Sequence, residues 1–458
     1  MDRKNTFPHP FHPSILLFFS RFFRRKILSI TGSLPMRVFV FIFLSVFCCV
    51  RSQLDAQKTI GIFTVKVEGV KPWDPDAILS GISGSEEAVI YLSQSLTKLD
   101  YKVIVFGDPP QGSRYSLPGS NPLFVPLDSL HVPLLDIAIS WRMPAIAEGL
   151  KKIADKVYLW PHDTCAEKLT EAQIEAFDGV FWLSEWQRRQ WISVNPSFTK
   201  FTPIFGNGIL PEQFNPVQQR ENPYACIYGS NYGRGLEILL DLWPKIKTEF
   251  PRATLDIYYG WKHWGALSAA KESSMRSQIA NLASLDVHEH GLVSHETLNR
   301  AYERASFWTY PCILPETFCI TALRAQLAGA IPVVLKGSAL SETVRYGFLC
   351  STREEYYNTL VRAFRQAEKI TLEERQNMGK FILHKFTWDA LALRWKEIFE
   401  EVEPKGEGSL FLTTGSLIGI CILVGVGVYV GALRRQAAGR RKFGKSAGFS
   451  ANEVSKEV

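Results

Sequence analysis

Residues 305–335 read ASFWTYPCILPETFCITALRAQLAGAIPVVL. The run 305–310 is apolar, short and closed by Pro311, the pattern of a buried strand. After a loop and Glu316, Ile320, Leu323 and Leu327 recur at helical spacing. They predict a helix over 317–328, which Gly329 ends. Residues 331–335 read as the next buried strand. The result is a βαβ unit. The first turn of its helix leaves backbone N–H groups unpaired above the strand ends, a setting that favours phosphate. A carboxylate at such a mouth, Glu316, is ill suited to phosphate. It suits neutral hydroxyl groups, such as those of a sugar, from which it can accept hydrogen bonds.

These residues carry a resemblance. The stretch is similar to the donor-sugar motif of the retaining GT-B glycosyltransferases of group 1, or family 4. That motif runs proline, a short loop, Glu-x-Phe-Gly, and a second Glu eight residues after the first. Pro311, Glu316 and Phe318 match it, Cys319 stands at the glycine, and Arg324 stands at the second Glu. The resemblance implies an α/β chain of GT-B architecture, two Rossmann-like domains with an interdomain cleft and the nucleotide-sugar on the second. Glu316 is then expected to orient sugar hydroxyls, and Phe318, Cys319 and Ile320 to face the leaving diphosphate. In the family the second Glu accepts hydrogen bonds from the nucleotide ribose, which an arginine cannot do. Arg324 is expected either to neutralise phosphate or to pair with Glu316. If the exchange abolishes donor binding, the chain is a catalytically inactive relative acting as a sugar- or nucleotide-binding module.

The rest of the chain follows the same rhythm. From Thr59, strand-like and helix-like runs alternate, as in a parallel α/β domain. Strand 59–65 precedes Gly81, Gly84 and a helix bearing Val89, Leu92, Leu96 and Leu99. The sequence Ser83-Gly84-Ser85-Glu86 resembles the family's Gly-Gly-x-Glu loop, which places Gly84 beside the donor. Asp74 and Asp76 lie in a proline-rich loop and read as turn chemistry, not as a metal-binding pair. Strands are expected at 102–106, 134–140, 156–160 and 179–183. Strand 156–160 runs into Pro161-His162-Asp163, and His162 at a strand end resembles the family's histidine near the donor sugar. Asn207-Gly208 resembles the family's element at the domain junction.

Residues 211–223 are polar with three prolines and read as a linker. Strand 224–228 opens the second domain, followed by Gly229, Gly233, Arg234 and Gly235 and a leucine-rich helix. A cation at a helix start after a glycine-rich loop suits a diphosphate. Arg234 matches the lysine of the family's Arg-x4-Lys-Gly pattern, and Gly229 falls at its arginine. Strands 253–259 and 287–292, helix 296–304, and helices 354–367, 372–383 and 387–401 complete the reading. The domains expected are 53–210 and 224–385, with a helix at 386–403 that crosses back onto the first.

The ends differ from the body. The chain has 458 residues and a formal charge of +7. Residues 1–35 carry six basic side chains and one acidic, 434–458 seven and two, and Arg37 and Arg51 add two, which leaves −5 for 52–433. The basic excess lies in the tails, and the body has no nucleic-acid footprint. The leader 1–52 contains the apolar run 36–50 behind Arg24, Arg25 and Lys26. It reads as a signal peptide, with an uncleaved anchor or an organelle leader as alternatives. The run 410–433 is uncharged and long enough to span a bilayer. Five basic residues from Arg434 to Lys442 follow it, which places the tail 434–458 in the cytosol and the body on the lumenal or outer side. Eight cysteines form no CxxC and no framework.

The expected protein is therefore a membrane-anchored, retaining glycosyltransferase, active without metal or cofactor. Its partners are a nucleotide-sugar donor, a glycan, lipid or protein acceptor, and the membrane. A dehydrogenase or epimerase would want GxGxxG after the first strand, and the chain lacks it.

Overall fold

A computed structural model of the chain describes residues 57–66, 71–129, 132–261 and 267–400. The leader with its run 36–50, the run 410–433 and the basic tail lie outside them. Among the described residues no helix is long and apolar enough to cross a membrane. Residues up to Trp395 form one compact unit. A second unit begins at Lys396, and of it only 396–400 is described.

The first half of the large unit is a parallel sheet of β1 (Thr59–Phe63), β2 (Lys102–Gly107), β3 (Leu123–Pro126), β4 (Leu135–Trp141), β5 (Ala154–Trp160) and β6 (Gly179–Val180). Its order is β3-β2-β1-β4-β5-β6. The second half is a parallel sheet of β7 (Ala225–Gly229), β8 (Thr254–Tyr258), β9 (Val287–Gly291), β10 (Phe307–Tyr310), β11 (Ile331–Leu335) and β12 (Phe348–Cys350), in the order β12-β11-β10-β7-β8-β9. Each sheet reverses direction of growth once, between β1 and β4 and between β7 and β10. In open α/β sheets the crevice for a ligand forms at such a reversal.

The helices of eight residues or more are α1 (Gly84–Lys98), α2 (Glu185–Val194), α3 (Leu236–Glu249), α4 (Ala269–Leu282), α5 (His295–Arg304), α6 (Ile320–Leu327), α7 (Arg353–Gln366), α8 (Leu372–Lys385) and α9 (Trp388–Glu400). Central strands are mostly apolar because helices cover both faces; every residue of β10 and β11 is buried. Each half has its own apolar core. This is the two-domain α/β architecture that the resemblance implied.

Several details differ from the expectation. The helix expected from Thr317 begins at Ile320, because Cys319 at its cap has φ +74 and ψ +82, a left-handed backbone no helix can continue through. The strand expected over 179–183 is two residues long, and Trp182 makes only an isolated bridge to Ile204. The edge strands β3 and β12 and the helix α4 were not expected at all.

The chain passes between the halves twice, and the two passages touch. Ile209 bridges Thr387 in parallel, with Ile209 N donating to Phe386 O at 2.8 Å. Beyond this bridge α9 lies on the first sheet. Trp395 stacks on Phe181 at 3.6 Å and meets Trp160 edge-on at 5.1 Å. Asp389 accepts from Ser95 Oγ at 2.7 Å and from Lys98 Nζ at 3.0 Å.

Candidate functional site

The site is built where the two reversal points face each other. On the second half, Gly235 caps α3 with φ +101. A side chain there would collide with Pro311 O, so only glycine lets the α3 loop close on the loop after β10. That closure brings Arg234 to Glu316. Arg234 Nη1 donates to Glu316 Oε1 at 2.7 Å, with the two side chains 25 % and 12 % exposed. Tyr310 OH donates to the same oxygen. The Glu316 backbone N donates to Ser338 Oγ at 2.9 Å, so the residue is held through its backbone as well as its side chain.

The charges are correspondingly stable. Burial works against the Arg234 cation, but Glu316, Tyr310 and Cys312 outweigh it and push its pKa above the ordinary arginine value. Burial, then the Glu316 charge, holds the Tyr310 phenol well above its ordinary pKa, so it stays a donor. A guanidinium has five N–H donors, and the contacts with Glu316 and Cys312 leave capacity for an anion. Glu316 retains acceptor sites on Oε2 as well. A cation and a neighbouring carboxylate at one strand end can grip an anionic group and a hydroxyl-bearing group that are covalently joined.

The first half supplies His162, at the end of β5. The residue is 6 % exposed and its ring lies 5.6 Å from Trp141 and 4.6 Å from Trp160. Burial, then the charge of Arg142, lowers its pKa well below the ordinary histidine value, so the imidazole is neutral. Its Nε2 is buried and has no hydrogen-bond partner, as do Trp141 Nε1, Trp160 Nε1 and Asn207 Oδ1. Buried polar atoms are usually paired, and this group of them marks the strand ends as a place equipped for a polar ligand or water. Beside it, Arg142 (φ +70) donates to Asp163 through Nε at 2.5 Å. Glu86, 3 % exposed, has its pKa raised by burial although Ser83 donates to it.

The two halves meet across these groups. Gly84 opens α1, and a Cβ there would lie 3.5 Å from Ile320 at the start of α6. Thr317 Oγ1 donates to His162 O at 2.9 Å, and Ser184 Oγ donates to Thr317 O at 2.7 Å. Phe318 is buried at the junction, edge-on to Phe386 at 5.6 Å, and a side chain on Gly206 would strike its ring. Cys319 at the α6 cap is a thiol that burial holds well above its ordinary pKa. His162, Glu316, Arg234, Gly84, Phe318, Cys319 and Ile320 are thus brought to one interdomain region.

Arg324 is placed differently. The ion pair with Glu316 belongs to Arg234 instead. Arg324 is 3 % exposed and donates through Nη2 to both oxygens of Glu87 on α1, at 2.9 and 3.1 Å, and through Nη1 to Asn299. His295 Nδ1 lies 3.8 Å from the same carboxylate. A buried guanidinium needs a carboxylate, and Glu87 supplies it from the opposite half. Arg142, Glu87 and Tyr259 are residues that sequence reasoning missed. Tyr259 ends β8 with φ +124, and burial and then Glu86 push its pKa up to about 12. A left-handed Arg or Tyr leaves no periodic signal to read.

Comparison with known proteins gives a consistent picture of the fold. No family model and no curated protein sequence matches the chain. Solved structures do. A sucrose-phosphate synthase from Thermosynechococcus elongatus matches 75 % of this chain and 99 % of its own, at 15 % identity and a TM-score of 0.59. A glycosyltransferase from Rickettsia africae matches 76 % of this chain and all of its own, at 14 % identity and 0.58. Anabaena HepE, solved with UDP, matches 76 % and 100 %, at 14 % and 0.56. The chain has the fold of the GT-B glycosyltransferases.

Proposed function

We propose that the protein is a membrane-tethered glycosyltransferase that moves a sugar from a nucleotide-sugar donor to an acceptor with retention and without a divalent metal. One observation carries the reading: the Arg234–Glu316 pair at the reversal point of the second sheet. Arg234 would neutralise the leaving diphosphate, where charge grows in the transition state. Glu316, held by Arg234 and Tyr310, would accept hydrogen bonds from sugar hydroxyls. The N–H groups opening α6, from Phe318 to Ile320, would add to the anion site. Neutral His162, facing this region from the first half, would contact the sugar or the acceptor. The nucleotide-sugar chemistry is supported by fold likeness to structures that include one bound to UDP. The tether is supported by the uncharged run 410–433 and the basic residues after it, and the same bias supports a folded body on the lumenal or outer side of the membrane.

The test is nucleotide release by the full chain in detergent from a panel of UDP-, GDP- and ADP-sugars. Wild type is expected to release one nucleotide, and Glu316→Ala to reduce that release at least a hundredfold. Donor that binds without turnover in any acceptor mixture would favour a sugar- or nucleotide-binding module, the outcome to which Arg324 at the ribose-carboxylate position points.

A further inference from the structure

An apolar tip stands at the edge of this site. Ile313 is 61 % and Leu314 45 % exposed, and Pro315 is exposed beside them. Single exposed apolar residues need no explanation, but a consecutive run of them does. The tip is not a loose loop that could fold inward. Cys312 beneath it is buried and its Sγ lies 3.4 Å from Leu314 O. On the other side Ala339 N donates to Glu316 O at 3.0 Å, which joins the tip to the loop after β11. Lys336, exposed, lies on that second loop. Apolar side chains held outward match the chemistry of a lipid surface, and the cation alongside suits the phosphate of a headgroup. The chain itself brings such a surface near, through the uncharged run 410–433, which is long enough to span a bilayer.

We propose that Ile313-Leu314-Pro315 is a lipid-docking tip that enters the bilayer to which the C-terminal run ties the chain, so that the acceptor is a hydroxyl group borne by a membrane lipid. The acceptor class rests on the glycosyltransferase half of the proposed function, and the docking on its membrane tether. Glu316 is the residue after the tip, so insertion would set the donor-facing carboxylate at headgroup level. Tethering makes the second contact intramolecular, and a small apolar tip then suffices.

The experiment uses the full chain in phosphatidylcholine vesicles, with the photoreactive residue benzoylphenylalanine at position 314. Position 383 is the control, since Leu383 is 44 % exposed but sits on α8. Lipid adducts at 314 at least fivefold above those at 383 are expected. Equal yields at both positions would overturn the docking. In the same vesicles Ile313→Ser/Leu314→Ser is expected to slow transfer to lipid-borne acceptors at least tenfold, with UDP-sugar binding within twofold of wild type. Unchanged transfer by that variant, or transfer by wild type only to soluble glycans or peptides, would overturn the acceptor class. Adducts at 314 from a chain that turns over no donor would keep the docking and sink the glycosyltransferase reading.

Discussion

At the scale of single residues, His162 shows how burial sets a protonation state. Its folded pKa lies below the ordinary value, so between the two the unfolded chain binds a proton that the folded chain does not. Stability is therefore fully present above about pH 6.5 and is lost as pH falls below it, at about 1.4 kcal/mol per pH unit for one such group. His295, lowered by burial against the opposing pull of Glu87, adds a slope of the same sign. Glu86, raised by burial, contributes the opposite sign above about pH 4.5, where its folded form keeps a proton longer. Urea unfolding of wild type should show a lower midpoint at pH 5.5 than at pH 7. His162→Phe, which keeps the ring, should flatten that dependence by about half. The same slope in both proteins would show that His162 titrates normally.

At the scale of elements, the start of α6 is the instructive case. Cys319 caps the helix at φ +74, a conformation that costs a non-glycine residue about 1–3 kcal/mol. Cys319→Gly relieves that strain against a smaller cost from the greater entropy of the unfolded chain. It should stabilise the full chain by about 1 kcal/mol, read as a higher calorimetric midpoint; a lower midpoint would mean that the thiol packing outweighs the backbone term. This dihedral is also why sequence reasoning started the helix three residues early. Ile320, Leu323 and Leu327 announce the apolar face of α6, but nothing in a side-chain pattern reports a backbone angle. The strands divide in the same way. Runs such as those of β10 and β11 are legible because both faces are covered. The edge strands β3 and β12 have four and three residues and leave no run to read. Arg234 and Glu316 were legible as site candidates from the loops that carry them; the bond between them was not.

At the scale of the whole molecule, the pair Arg324–Glu87 joins the halves across 237 residues of sequence. No local pattern could have revealed it, because each residue alone looks like an ordinary helical charge. Side-chain exposures of 4 % and 5 % make it a buried pair. Removing one partner strands the other, at a cost of about 3–5 kcal/mol, whereas removing both costs much less. Arg324→Leu and Glu87→Leu should each destabilise strongly, and the double variant should recover most of the loss in a double-mutant cycle. Additive losses would show that the two charges are satisfied independently.

The return of α9 to the first sheet bears on how the protein is made. All six strands of the first sheet lie before residue 210, yet when that residue has been synthesised Trp160 and Phe181 still lack Trp395. About 180 further residues must leave the ribosome, which at 5–20 residues per second takes about 10–40 s. During that interval the first half presents an open aromatic surface to chaperones. Its last packing step comes only as the chain reaches its C-terminal apolar run, so completion of the fold and delivery of that run fall at nearly the same moment of synthesis.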